Sequence, residues 1–234
     1  MIKSDLARGV RIFGSFLGCI IGLASTASYG QELSWSVISA KSTGYGVSCN
    51  KSSVQLVAAG SNMSLLFDNM NADLPGGSKQ GVRFEGGVCA VELKMTIPKN
   101  YYVTSGSSTI LGGAEKSQGT TGYVQSFTYL WGKSPGGNGS PGAGLYARIF
   151  NAERFFKFKD IVSEPFFQIE STRTLSTGER RIMCNATSKG SFDARMVVYV
   201  SVGATRQKDQ QSAIIAIDSS DSNFLLGVKT DRCP

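Results

Sequence analysis

The stretch Gly86–Pro98, G-G-V-C-A-V-E-L-K-M-T-I-P, restricts the fold more than any other part of the chain. From Cys89 on, the alternation is strict. Cys89, Val91, Leu93, Met95 and Ile97 have one parity; Ala90, Glu92, Lys94 and Thr96 have the other. A period of two is that of a pleated strand with one buried face. The cysteine falls on the apolar side, so a disulfide formed there crosses the core. Pro98 has no N–H for a ladder and ends the strand.

The compartment follows from the N-terminus. Lys3, Arg8 and Arg11 precede an apolar run, Ile12–Leu23, and small residues follow from Ala24 to Ser28. Residues 1–30 read as a secretory signal peptide that is removed, with cleavage after Ala27 or Gly30; the apolar run is too short for a membrane span. Cys19 suggests a lipoprotein, but Ile20 and Ile21 continue the apolar run past it. Removing this leader takes away three basic residues and one acidic one, leaving +5 of the formal +7. That charge is scattered, which argues against nucleic acid as partner. Four cysteines remain: Cys49, Cys89, Cys184 and Cys233. An even number in an exported chain reads as two disulfides. Of three connectivities, chain order favours the local one, Cys49–Cys89 and Cys184–Cys233. Zinc would need CxxC-type spacing, which is absent.

The rest of the chain supplies more short strands. Leu33, Trp35 and Val37 alternate. Residues 53–58 and 62–67 form a hairpin about Gly60-Ser61-Asn62, and residues 68–77 read as a loop. Residues 79–84 lead into the strand at Cys89. Residues 100–104 and 123–131 are aromatic-rich strands with a polar Gly/Ser/Thr stretch between them. G-K-S-P-G-G-N-G-S-P-G-A-G, residues 132–144, reads as a flexible loop. Residues 145–161 are ambiguous between strand and short helix. Further strands are read at 165–172, at 180–186 with Cys184, and at 191–202, where Phe192, Ala194, Met196, Val198, Val200 and Val202 share a face. Residues 213–217 and 224–228 flank a hairpin-like turn. No long helix is evident. The expected fold is all-β: one antiparallel β-sandwich over 31–234, jelly-roll-like with long loops, stapled by two disulfides.

The order of these features resembles a known family. G-Y-G-V-S-C at 44–49 is followed by the 53–67 hairpin, then by C-A-V-E-L-K-M-T-I-P-K-N-Y-Y at 89–102. C-N-A-T-S-K-G-S-F-D-A-R-M-V-V-Y-V-S-V spans 184–202, and I-D-S-S-D, F-L-L-G-V-K-T-D-R-C close the chain at 217–233. Across nearly the whole body this resembles the secreted family catalogued as domain of unknown function 4360. The resemblance implies a secreted, disulfide-bonded β protein and carries over no catalytic residues.

The chain contains no histidine. That removes Ser-His-Asp and Cys-His catalysis and His-ligated metals. Paired carboxylates for a glycosidase leave Glu85 with Glu92, or Glu164 with Glu170, against the simpler reading of solvated strand faces. Asp68, Asn71 and Asp73, or Asp218 and Asp221, offer oxygens to Ca²⁺, but such residues in turns more often bond their own backbone. Neither a metal nor a cofactor is assigned. The segment Arg154, Phe155, Phe156, Lys157, Phe158, Lys159 interleaves cations with aromatics and is the candidate ligand surface, for a polyanion, a glycan or a membrane surface. An amphipathic element with phenylalanines inward explains it as well. Trp35, Tyr101, Tyr102, Tyr123 and Trp131 are candidates for stacking on sugars or for core packing. Four sequons begin at Asn50, Asn62, Asn138 and Asn185. The expected protein is non-enzymatic, secreted or periplasmic, and binds or builds at the cell surface, with a glycan or cell-surface component as partner. The rival readings are a glycan-active hydrolase and a subunit of a bacterial surface fibre that donates residues 31–43.

Overall fold

The computed structural model describes residues 33–45, 47–77, 80–132, 145–217 and 224–234. Residues 1–30, read above as a leader, Asp218, Asp221 and all but Gly132 of the 132–144 stretch lie outside them. The first half of the chain forms β1 (Ser34–Tyr45), β2 (Val47–Ser48), β3 (Val54–Ala59), β4 (Asn62–Phe67), β5 (Asn69–Leu74) and β6 (Phe84–Ile97). There follow β7 (Tyr101–Lys116), β8 (Thr120–Gly132), β9 (Leu145–Phe156), β10 (Val162–Thr174), α1 (Thr177–Thr187), β11 (Phe192–Arg206), β12 (Ala213–Ile217) and β13 (Phe224–Arg232). Among the described residues no helix is long and apolar enough to cross a membrane.

The strands build a sandwich of two antiparallel sheets. The first has the order β1-β6-β11-β8-β9. Its second strand, β6, is the one that the alternation marked: Cys89, Val91, Leu93, Met95 and Ile97 are all fully buried. In register beside it, Met196 meets Leu93, Val198 meets Val91 and Val200 meets Cys89, all from the buried face of β11. β1 pairs with the other edge of β6 and bulges between Val37 and Ser39, which turns Ile38 outward and returns Ala40 to the core. The segment offered as a donated extension is therefore a strand of its own sheet from Ser34 on.

The second sheet holds eight strands in five rows. β10 pairs with one edge of β7. β13 and β12 lie end to end along the other edge: β13 covers Tyr101–Ile110 and β12 covers Gly113–Lys116. β4 and β5 form the next row, against β13 and β12 respectively. β3 and β2 form the outer row. Four irregularities sit at one level across this sheet: the bulge between Glu164 and Phe167, the gap between β12 and β13, Asp68 between β4 and β5, and residues 49–53 between β2 and β3.

Several sequence expectations change. Residues 213–217 and 224–228 do not pair with each other as a hairpin; both pair with β7. The loop read at 68–77 contains β5, whose Met70, Ala72 and Leu74 are buried. The polar stretch after Thr104 is the body of β7, because neighbours on both edges complete its ladders. Residues 180–186 are helical, not extended. Ser176 caps α1: its hydroxyl accepts from the Glu179 N–H at 3.3 Å, and the Glu179 carboxylate accepts from the Ser176 N–H at 2.7 Å. That reciprocal capping box satisfies donors that a helix start leaves open.

Both disulfides have the local pairing, Cys49–Cys89 and Cys184–Cys233, each with a Cα–Cα separation of 5.6 Å. Such crosslinks persist in an oxidising, extracytoplasmic setting. Polar ties close one end of the sandwich. Arg206, 3% exposed, donates from Nε to the Val82 carbonyl at 2.8 Å and from Nη1 to those of Pro75 at 2.9 Å and Asp209 at 3.0 Å.

Candidate functional site

The site grows out of β8. A strand beside the core ordinarily turns apolar side chains inward and polar ones outward. β8 reverses part of that pattern. Ser126 and Thr128 face the core with fully buried hydroxyls that have no hydrogen-bond partner among the described residues. Tyr123, Phe127 and Tyr129 have the opposite parity and are half-buried on the outer face of the five-stranded sheet.

Neighbouring strands extend this row. Tyr199 of β11 lies opposite Phe127 and meets Tyr129 edge-on, with centroids 5.9 Å apart at 84°. Phe155 of β9 lies opposite Tyr123, with centroids 6.4 Å apart and planes tilted by 39°. Phe155 is 58% exposed and Tyr199 38%. On the other side of Tyr123 the register partner is Gly203. A Cβ at 203 would fall within the tyrosine ring, so the ring lies across bare backbone that only glycine leaves open. Burial pushes the Tyr123 phenol up from its ordinary pKa, so it remains a neutral O–H donor.

Polar groups stand among and beside these rings. Gln125 pairs with Glu153 across β8 and β9, and Ser201 pairs with Gln125 across β11 and β8. Towards β6 the same face carries ion pairs. Arg195 Nη1 is 3.0 Å from Glu92 Oε1, and Ser39 Oγ donates to Glu92 Oε2 at 3.3 Å. Lys94 Nζ is 2.7 Å from Asp193 Oδ2, and Thr96 Oγ1 donates to Asp193 Oδ1 at 2.7 Å. Hydrogen bonds from Lys94 and then Thr96 hold the Asp193 carboxyl below its ordinary pKa. The result is an aromatic platform with a charged border, suited to stacking against a flat ligand and bonding its edge hydroxyls.

The segment 154–159 divides. Arg154 and Phe156 turn toward the seam between the sheets. The Arg154 guanidinium lies 5.0 Å from the Phe156 ring centroid and 5.6 Å from that of Phe167, and pairs with Glu164 Oε1 at 2.7 Å. Phe155 joins the outer platform. Lys157, Phe158 and Lys159 are exposed in the turn before β10. Of the other aromatics singled out in the sequence, Tyr123 alone is described on the platform. Trp35 faces inward and donates from Nε1 to the Gly60 carbonyl at 3.1 Å. Tyr101 accepts at its hydroxyl from Arg232 Nε at 3.2 Å, and Tyr102 packs against the core. The Trp131 side chain lies outside the description.

Neither carboxylate pair has hydrolase geometry. Glu85 and Glu92 are seven positions apart on β6, roughly 23 Å along a strand. Glu164 and Glu170 are six positions apart on β10, roughly 20 Å less the bulge. Glycosidase carboxylates stand about 5 to 9.5 Å apart. Among the described residues no three Asp, Glu or Cys side chains form a metal-binding group.

No family model matches the chain, and no curated protein matches it. Similar solved structures exist at low identity. TmCBM61 in complex with beta-1,4-galactotriose is 12% identical with a TM-score of 0.25, over 81% of this chain and 88% of that one. A structure of carbohydrate-binding modules from the beta-sandwich super family is 7% identical with a TM-score of 0.27, over 86% of this chain and 57% of that one. The enzymatically active domain of a bacteriophage tailspike protein is 11% identical with a TM-score of 0.21, over 83% of this chain and 19% of that one. At these scores the likenesses assign no ligand or activity to this chain.

Proposed function

We propose that this is a secreted, non-enzymatic binding protein whose ligand is a glycan held on the outer face of the five-stranded sheet. One observation carries the reading: β8 keeps Ser126 and Thr128 in the core and Tyr123, Phe127 and Tyr129 outside it. Packing alone favours the reverse, since buried hydroxyls without partners cost free energy and aromatics contribute most when buried. A sugar ring presents C–H groups on its faces and hydroxyls on its edge. Rings such as Tyr123, Phe155 and Tyr199 stack on the faces, and Gln125 and Glu153 bond the hydroxyls. Membership of the secreted family catalogued as domain of unknown function 4360 belongs to the same proposal, supported by the four-cysteine order and the C-terminal motif.

The test is retention of the purified protein on a glycan panel, with analysis for released products. At least one polysaccharide should be retained without cleavage. Tyr123→Ala and Tyr199→Ala together should release it while near-ultraviolet circular dichroism keeps its folded signature. Cleavage of a retained glycan, or binding indifferent to both substitutions, would overturn the reading.

A further inference from the structure

The turn between β9 and β10 has a construction that the glycan platform does not use. Its backbone is fastened at three points. The Asp160 N–H donates to the Lys157 carbonyl at 3.1 Å, and the Gly119 N–H donates to the Phe158 carbonyl at 3.0 Å. The Lys116 ammonium, 2% exposed, donates to the Asp160 carbonyl, and to the Ser117 carbonyl at 3.4 Å. Below the turn, the Arg154–Glu164 pair clamps the two strands together. A turn held this firmly ought to bury its apolar side chains. Instead Phe158 is 38% exposed and Ile161 is 77% exposed. The two lysines around Phe158 are exposed too, and among the described residues neither is in an ion pair.

We propose that Lys157, Phe158, Lys159 and Ile161 form a docking site for an anionic lipid surface. The turn carries a net charge of +1, with Lys157 and Lys159 against the exposed Asp160; its two ammonium groups meet lipid phosphates, and the apolar pair enters the boundary between headgroups and acyl chains. Ile161 decides between the polyanions that two lysines could meet. An acidic polysaccharide offers an isoleucine nothing, whereas a bilayer takes its whole side chain out of water. The residues of this site are separate from those of the platform, whose Phe155, on β9, stands two positions before Lys157.

The test is co-sedimentation of the full mature protein with vesicles of phosphatidylcholine alone, or of phosphatidylcholine with phosphatidylglycerol. Anionic vesicles should retain the protein, neutral ones should not, and raised salt should release it. Lys157→Ser and Lys159→Ser should each weaken partitioning about fivefold. Phe158→Ser with Ile161→Ser should weaken it about tenfold or more. Ile161→Ser alone, at the most exposed position, keeps the test open if the double variant misfolds, as thermal unfolding would reveal. Equal retention on neutral vesicles, no retention on anionic ones, or loss with the lysine variants but none with Ile161→Ser would overturn the proposal. The last of these results would make the turn a general polyanion contact.

Discussion

At the scale of single residues, the platform depends on a missing side chain. Tyr123 rests where Gly203 leaves the β11 backbone bare, and any Cβ there meets the ring. Gly203→Ala is therefore expected to lift Tyr123 from the sheet. Retained glycan should bind roughly fivefold more weakly, the equivalent of about 1 kcal/mol for one displaced aromatic contact. Titration against the polysaccharide found on the panel checks this, and unchanged affinity would remove Tyr123 from the site. Little of this was legible in the sequence. Residues 123–131 read as an aromatic-rich strand, but which face held the rings depended on parity with Ser126 and Thr128, a signal that aromatic content alone conceals. Tyr199 was hidden for another reason. It stands among the outward positions of β11, between Val198 and Val200, and nothing local shows that β8 lies beside it.

At the scale of elements, alternation was readable wherever one strand face was buried. β6, β4 and the first part of β11 follow their apolar pattern closely. α1 was not read, because its apolar stripe is short: Met183 and Thr187 are its buried residues. The legible signal was the capping sequence Ser176-Thr177-Gly178-Glu179. That box also has a pH signature. Burial pushes the Glu179 carboxyl up, but hydrogen bonds from the Ser176 N–H and hydroxyl, together with Arg173 at 3.0 Å, outweigh it and hold the carboxyl below its ordinary pKa. A depressed folded-state value stabilises the protein above the unfolded pKa, and that contribution is lost as pH falls through the folded one. Ser176→Ala should thus cost about 1 kcal/mol at neutral pH and distinctly less near pH 3, as denaturant unfolding at both values would measure. An equal cost at both would separate the cap from the carboxylate. β7 beyond Thr104 was missed in the opposite way: its Gly and Ser have poor strand propensity, and its two neighbours override it.

At the scale of the whole molecule, the disulfides cross-link different regions. Cys49 lies at the interruption between β2 and β3 and reaches across to β6; Cys233 follows β13 and ties it to α1. Each closes a segment of 40 or 49 residues, worth roughly 4 kcal/mol in the chain-entropy account. The aligned irregularities of the eight-stranded sheet then acquire a dynamic meaning. On one side lie β2, β5 and β12; on the other lie β3, β4 and β13; β7 and β10 run past both. Few ladder hydrogen bonds cross that level, so the halves need not open together. Amide hydrogen exchange followed by mass spectrometry should find two protection classes divided at Asp68, and Cys184→Ser with Cys233→Ser should speed exchange in β13 while leaving β12 nearly unchanged. A single class throughout, or equal acceleration in both strands, would mean that the sheet opens as one. If it divides, the sandwich is a hinged pair of panels on a common spine, and one panel can loosen without releasing the other.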